Sequence, residues 1–124
     1  MTDDRTTVRE LRELVDRFVS ERDWHQFHAP KNLAMALSIE AAELLEHFQW
    51  IDVEESRTLR DDAARRGAVG EEMADVACYL LAMANELGID LSQAVRDKMV
   101  KNARKYPAAE YRGRWGVDDP GPAK

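Results

Sequence analysis

Four acidic residues in two equally spaced pairs, Glu40 with Glu43 and Glu72 with Asp75, mark where this chain could do chemistry. Residues three apart on a helix are neighbours, so each pair can aim both carboxylates at one point. On a helical wheel Leu33, Leu37, Leu44 and Phe48 form one apolar arc, with Glu40 inside it and Glu43 at its edge. Glu72 falls beside Val76, Met83 and Leu87, and Asp75 and Tyr79 border it. Burying a carboxylate costs on the order of several kcal/mol of solvation, and four such groups near one another also repel. A hard divalent cation such as Mg²⁺ or Mn²⁺ removes both penalties, because it prefers oxygen ligands. The same spacing recurs at Glu10 and Glu13, on a polar face, and at Glu43 and Glu46, where Glu46 points away from the Glu40 arc. The residues alone therefore leave two readings open: surface acids, or an oxygen-lined metal site between two helices.

Other candidates are less informative by themselves. His25 and His28 share a face but lack the third ligand a zinc site needs. His47 reads as a helix-surface residue, and Cys78, in an apolar run with no adjacent base, reads as a packed core thiol. Trp24 and Trp50 stand at helix ends, where a large aromatic ring can plug a bundle. Lys98 and Asn102, four apart, fit either a solvated face or a ligand-contacting one.

The elements that must position these residues are helical. Alanine (17) and leucine (11) far outnumber isoleucine (3), and no proline falls between Pro30 and Pro107. Val8, Leu11, Val15, Phe18 and Val19 recur at helical spacing in a first stretch. Pro30 opens a second, running to about Gln49. Residues 52 to 68 lack apolar periodicity and read as a connector with one or two helical turns. A third helix is expected from about Gly70 to its cap at Gly88. Asp90 and Gln93 have capping-box spacing for a fourth, which Pro107 ends. The expected architecture is an all-α antiparallel bundle of about four helices in one domain, residues 1–107, with an irregular tail over 108–124.

Composition narrows the function. All six glycines lie at or after Gly67, so neither a Walker loop nor a GxGxxG fingerprint can be assembled. Eighteen basic against 24 acidic residues give a net charge of −6, which disfavours binding to a nucleic-acid polymer. The N-terminus has no apolar signal core, and the longest apolar run, Val76 to Ala84, is far shorter than the roughly 20 residues that span a bilayer. With a single cysteine, these features predict a cytoplasmic protein without membrane contact.

Glu40-x-x-Glu43 followed by Glu72-x-x-Asp75 resembles the paired acidic motif of the MazG-like, all-α NTP pyrophosphatase superfamily. The segments FVSERDW, FHAPKNLAMAL, EAAELLEHFQW, EMADVACYLL and KMVKNARKYP, in that order across residues 8 to 107, are similar to its dCTP pyrophosphatase branch. The resemblance implies Mg²⁺-dependent hydrolysis of a nucleoside triphosphate between the α and β phosphates, with Mn²⁺ as a substitute. It implies Glu40, Glu43, Glu72 and Asp75 as metal ligands and catalytic groups. It assigns Trp24, Trp50 and Tyr79 to the base, adds His28 to the substrate contacts, and puts Lys98, Asn102 and Tyr106 on the phosphate or sugar side. A homodimer or homotetramer with active sites built between subunits is also implied. The carboxylates fit this reading physically, because an acidic protein binds a polyphosphate only through bridging cations. Glu43, at the arc's edge where water reaches, is the candidate base. Two alternatives keep parts of this reading. A relative acting on dUTP, phosphoribosyl-ATP or damaged nucleotides would keep the metal site and change the pocket. A non-enzymatic oligomerisation module would leave the inward acids unexplained.

Overall fold

The structure is a computed structural model in which residues 1–114 are described, and every regular element among them is helical. Four long helices carry the chain: α1 (Val8–Glu21), α2 (Pro30–Glu46), α4 (Ala63–Leu87) and α5 (Leu91–Lys105). A two-turn α3 (Val53–Thr58) and a 3-10 turn (Leu59–Asp61) fill the stretch read as a connector, and a single turn, α6 (Ala108–Tyr111), follows Pro107. The fold class is the expected one. The tail, expected to be irregular from Ala108, begins with that helical turn; its remainder over 115–124 lies outside the described residues.

The ends of the helices follow from local chemistry. Thr7 caps α1 in a capping box: its hydroxyl accepts from the Glu10 N–H, and the Glu10 carboxylate accepts from the Thr7 N–H. Pro30 occupies the first turn of α2, where its missing N–H has no partner to lose. Gly88 ends α4 in the left-handed region at φ 63°, a conformation that glycine adopts without strain. Asp90 caps α5 by accepting from the Gln93 N–H at 2.9 Å, while the Gln93 side chain turns to Asp97 instead of completing a box.

One boundary differs from expectation. α4 starts at Ala63, seven residues before Gly70, because Asp62 caps it by accepting from the Arg65 N–H. Ala63, Ala64, Arg65 and Arg66 are strong helix formers, and their propensity outweighs the glycines at 67 and 70. Apolar periodicity is weak there, since that first stretch has little to pack on.

The chain divides into two compact units, Met1–Ile89 and a second that begins at Asp90. In the first, α4 packs along α2 most extensively and along α1 next. Val19, Leu33, Leu59, Leu81, Ala82 and Ala84 form its buried core. Arg12 fastens α1 to the end of α4, donating to the Asn85 side chain and to the carbonyls of Ala84 and Ile89. In the second unit, Tyr106 and Tyr111 pack edge to face at 5.1 Å. No helix among the described residues is long and apolar enough to cross a membrane.

Candidate metal centre

The pairing of α2 with α4 brings the two acidic pairs together. Glu40, Glu43 and Glu72 each offer a carboxylate oxygen, and these atoms all lie within 4.8 Å of one another. Glu43 acts on both of the other two, raising the pKa of each. Asp75, one turn along α4 from Glu72, stands outside that trio, yet its charge acts on both.

The electrostatics are those of carboxylates short of positive charge. Glu40 is half-buried, and its pKa is pushed up to about 7, first by loss of solvation and then by Glu43, Asp75 and Glu72. Loss of solvation likewise raises Glu72, helped by Glu43 and Asp75 and opposed by His47. One oxygen on each of Glu40 and Glu72 is buried with no hydrogen-bond partner. Unsatisfied buried carboxylate oxygens converging from two helices are the donor set that a hard divalent cation takes, so these residues fit such an ion.

A cavity of about 340 Å³ adjoins the acids, within the range of small-molecule sites. Glu40 and Asp75 stand on its wall with Trp24, His28 and Tyr79. Trp24 is set by the end of α1. Its N–H reaches back to the Val19 carbonyl while the Asp23 N–H bonds Ser20, and Asp23 adopts φ 53°. These two bonds make a Schellman motif with aspartate in the usual glycine place. The Trp24 ring meets Phe18 edge to face at 5.6 Å and lies 6.3 Å from the His28 ring. His28 Nδ1 is a further buried polar atom with no partner.

Of the remaining candidates, Trp50, Cys78 and His47 have other surroundings than their sequence suggested. Trp50 is 87% exposed in the turn after α2 and lines no part of this cavity. Lys98 and Asn102 lie on α5 and Tyr106 caps it, all in the second unit. Cys78 is exposed at the cavity wall instead of packed in a core: three residues from Asp75, it shares that acid's face of α4. Partial loss of solvation, and then the Asp75 charge, push its thiol pKa up. His47, read as a plain surface residue, lies close enough to oppose the rise at Glu72. Its position at the end of α2, four residues beyond Glu43, was the signal for that.

The model of the MazG-like family matches residues 35–116, a span that includes both acidic pairs. The chain belongs to the MazG-like family. This MazG-like chain is similar to dCTP pyrophosphatase 1 of Bos taurus, 44% identical over 107 residues, covering 86% of this chain and 63% of that protein. It is also 44% identical over 102 residues to dCTP pyrophosphatase 1 of Homo sapiens, covering 82% and 60% respectively. It thus spans less than two thirds of the length of these curated relatives. Among solved structures, a pyrophosphatase from Archaeoglobus fulgidus DSM 4304 is 41% identical with a TM-score of 0.76, covering 86% of this MazG-like chain and 98% of that one.

Proposed function

We propose that this chain is a nucleoside triphosphate pyrophosphohydrolase, cleaving dCTP or a related pyrimidine deoxynucleotide between its α and β phosphates. The products would be the monophosphate and pyrophosphate. The observation that carries this reading is the acidic trio, with two unpartnered buried oxygens, beside a cavity walled by Trp24, His28 and Tyr79. Both the named relatives and the solved neighbour are pyrophosphatases, which supports the reaction class.

Glu40, Glu43, Glu72 and Asp75 would hold Mg²⁺, with Mn²⁺ as a substitute. Such an ion supplies charge neutralisation and polarisation of the phosphoryl oxygens. Glu43, whose charge acts on both Glu40 and Glu72, is the carboxylate we assign as acceptor of the attacking water's proton. Trp24 offers a stacking face for the base, an interaction worth about 1–3 kcal/mol but tolerant of base identity. Choice among bases needs a polar partner, and His28 Nδ1 is buried in this region with its hydrogen bond unmade. Lys98, Asn102 and Tyr106 are retained as phosphate- or sugar-side contacts on the family resemblance.

We also propose a homodimer or homotetramer in the cytoplasm. Met35 (50%), Ile39 (60%) and Leu45 (63%) on α2 and Met73 (57%) on α4 leave large apolar area exposed in one chain. Trp50 enters the nucleotide reading through such an assembly, from a neighbouring subunit. The catalytic domain is assigned to residues 1–107, ending at Pro107, with 108–124 as its tail.

Pyrophosphate release across canonical and modified nucleotides with Mg²⁺ tests the reaction and its preference together. The expected result is a pyrimidine deoxynucleotide as best substrate. Trp24→Ala should raise KM by about tenfold with Mg²⁺ affinity unchanged. A purine triphosphate as best substrate would refute the pocket, and full activity without a divalent cation would refute the metal centre.

A further inference from the structure

The turn between α1 and α2 carries two cavity residues, Trp24 and His28, and between them stands His25, which does not line the cavity. Its Nδ1 lies 2.5 Å from Glu86 Oε1 on α4. Its Nε2 lies 3.0 Å from the Ser20 hydroxyl and 3.2 Å from Asp16 Oδ1, both on α1. Other side-chain hydrogen bonds involving the turn are local: Gln26 to Asp23, and Asn32 of α2 to the Phe27 carbonyl. Among the described residues His25 is therefore the side chain whose hydrogen bonds tie the turn to both α1 and α4.

We propose that His25 is a positioning residue, holding the turn on α1 and α4 so that Trp24 and His28 keep the wall of the nucleotide cavity in place. The proposal rests on the reading of that cavity as the base site. The ring lines no part of the cavity and bonds none of the four metal-centre carboxylates; it acts through the residues on either side of it. The imidazolium donates to Glu86 and to Asp16 at once, whereas the neutral ring keeps its Nδ1–H on Glu86 and at Nε2 can only accept, from the Ser20 hydroxyl. The groups that face the ring are Glu86 from α4 and Asp16 and Ser20 from α1. The Glu86 hydrogen bond first, with the charges of Glu86 and Asp16, raises the His25 pKa above its ordinary 6.5. Rising pH removes the Nε2 proton, leaves Asp16 facing a bare ring nitrogen, and exchanges a charge-assisted tie to α1 for the weaker hydrogen bond from Ser20.

The test compares wild type, His25→Ala, His25→Gln and Glu86→Gln, using dCTP with Mg²⁺ at about pH 6 and about pH 8.5. His25→Ala should raise KM about three- to tenfold at the lower pH while kcat changes less than about twofold. Wild-type KM should rise only part of the way toward that value at the higher pH, because the Glu86 and Ser20 hydrogen bonds remain, and KM of His25→Ala should stay flat. His25→Gln, which keeps one donor and one acceptor, should recover part of the loss. Glu86→Gln should move the rise in KM to lower pH. An unchanged KM in His25→Ala, or a fall in kcat at constant KM, would overturn the proposal. A second readout is independent of catalysis: the Trp24 indole N–H resonance of the metal-free protein should shift with the His25 titration and not in His25→Ala. Should the wild type hydrolyse no nucleotide, the reaction assignment fails, while the indole titration still decides the tie. An indole resonance that ignores the titration overturns it.

Discussion

Glu10 with Glu13 on α1 and Glu40 with Glu43 on α2 are the same residue type at the same spacing, and the surroundings of Glu10 and of Glu40 drive those two in opposite directions. Glu10 stands in the first turn of α1, where the Thr7 N–H and hydroxyl bond its carboxylate and hold its pKa below the ordinary value. Glu40 lies mid-helix against α4, where lost solvation and three neighbouring acids hold its pKa up at about 7. A carboxylate surrounded by donors helps the fold, whereas one surrounded by other carboxylates strains it until a cation arrives. What separates an acid that caps a helix from one that binds a metal is its neighbours in space.

The largest way to break this comparison is to neutralise one member of each pair. Glu40→Gln should cut turnover by at least about tenfold through loss of a charged ligand, and Glu10→Gln should leave it unchanged. Equal activity in both variants, measured by pyrophosphate release, would dissolve the distinction.

A second test uses pH, where the two acids have opposite signs. The folded pKa of Glu40 is above its unfolded value, so its contribution to stability is fully present below about 4.5 and is lost as pH rises through about 7. Metal-free Glu40→Gln should therefore melt higher than wild type at about pH 8, and the difference should vanish in acid. Glu10 has a lowered folded pKa, so its contribution is present above the ordinary carboxylate value and is lost as pH falls through the depressed one. Mg²⁺ binding must displace protons from Glu40 and Glu72, so calorimetry should show affinity falling, and protons released per ion rising, as pH drops below about 7.

The smallest effect sharpens the α1 side. Thr7→Ala removes the cap and should cost about 1 kcal/mol in denaturant unfolding, with no change in KM or kcat. A change in activity would mean that the start of α1 reaches the cavity.

Much of this contrast was legible in the sequence, because Glu40 interrupts an apolar arc and an amphipathic pattern reports which way a side chain points. The capping box at Thr7 and Glu10 was equally legible as Thr-x-x-Glu, although the pair with Glu13 drew attention to the polar face instead. Other features needed the third dimension. The early start of α4 depends on one cap at Asp62, which periodicity cannot register. The exposure of Cys78 depends on which part of α4 its neighbours cover, and that of Trp50 on what packs against the turn after α2. The tie through His25 joins positions 61 apart, a relation that spacing along one helix does not contain.

The long helix α4 begins with a stretch that carries two glycines. Gly67 and Gly70 have open space where a Cβ would stand, and each lowers helix propensity by about 1 kcal/mol relative to alanine. Glu72 and Asp75 follow directly, and the buried Leu81, Ala82 and Ala84 lie beyond them. Backbone amides of 63–70 should therefore exchange with solvent through brief local openings, while those around 81–84 wait for the unit to unfold. The acids stand where the fast-exchanging part of one helix meets the slow part, and an ion bridging Glu72 to α2 would carry the slow regime toward the N-terminal end of α4.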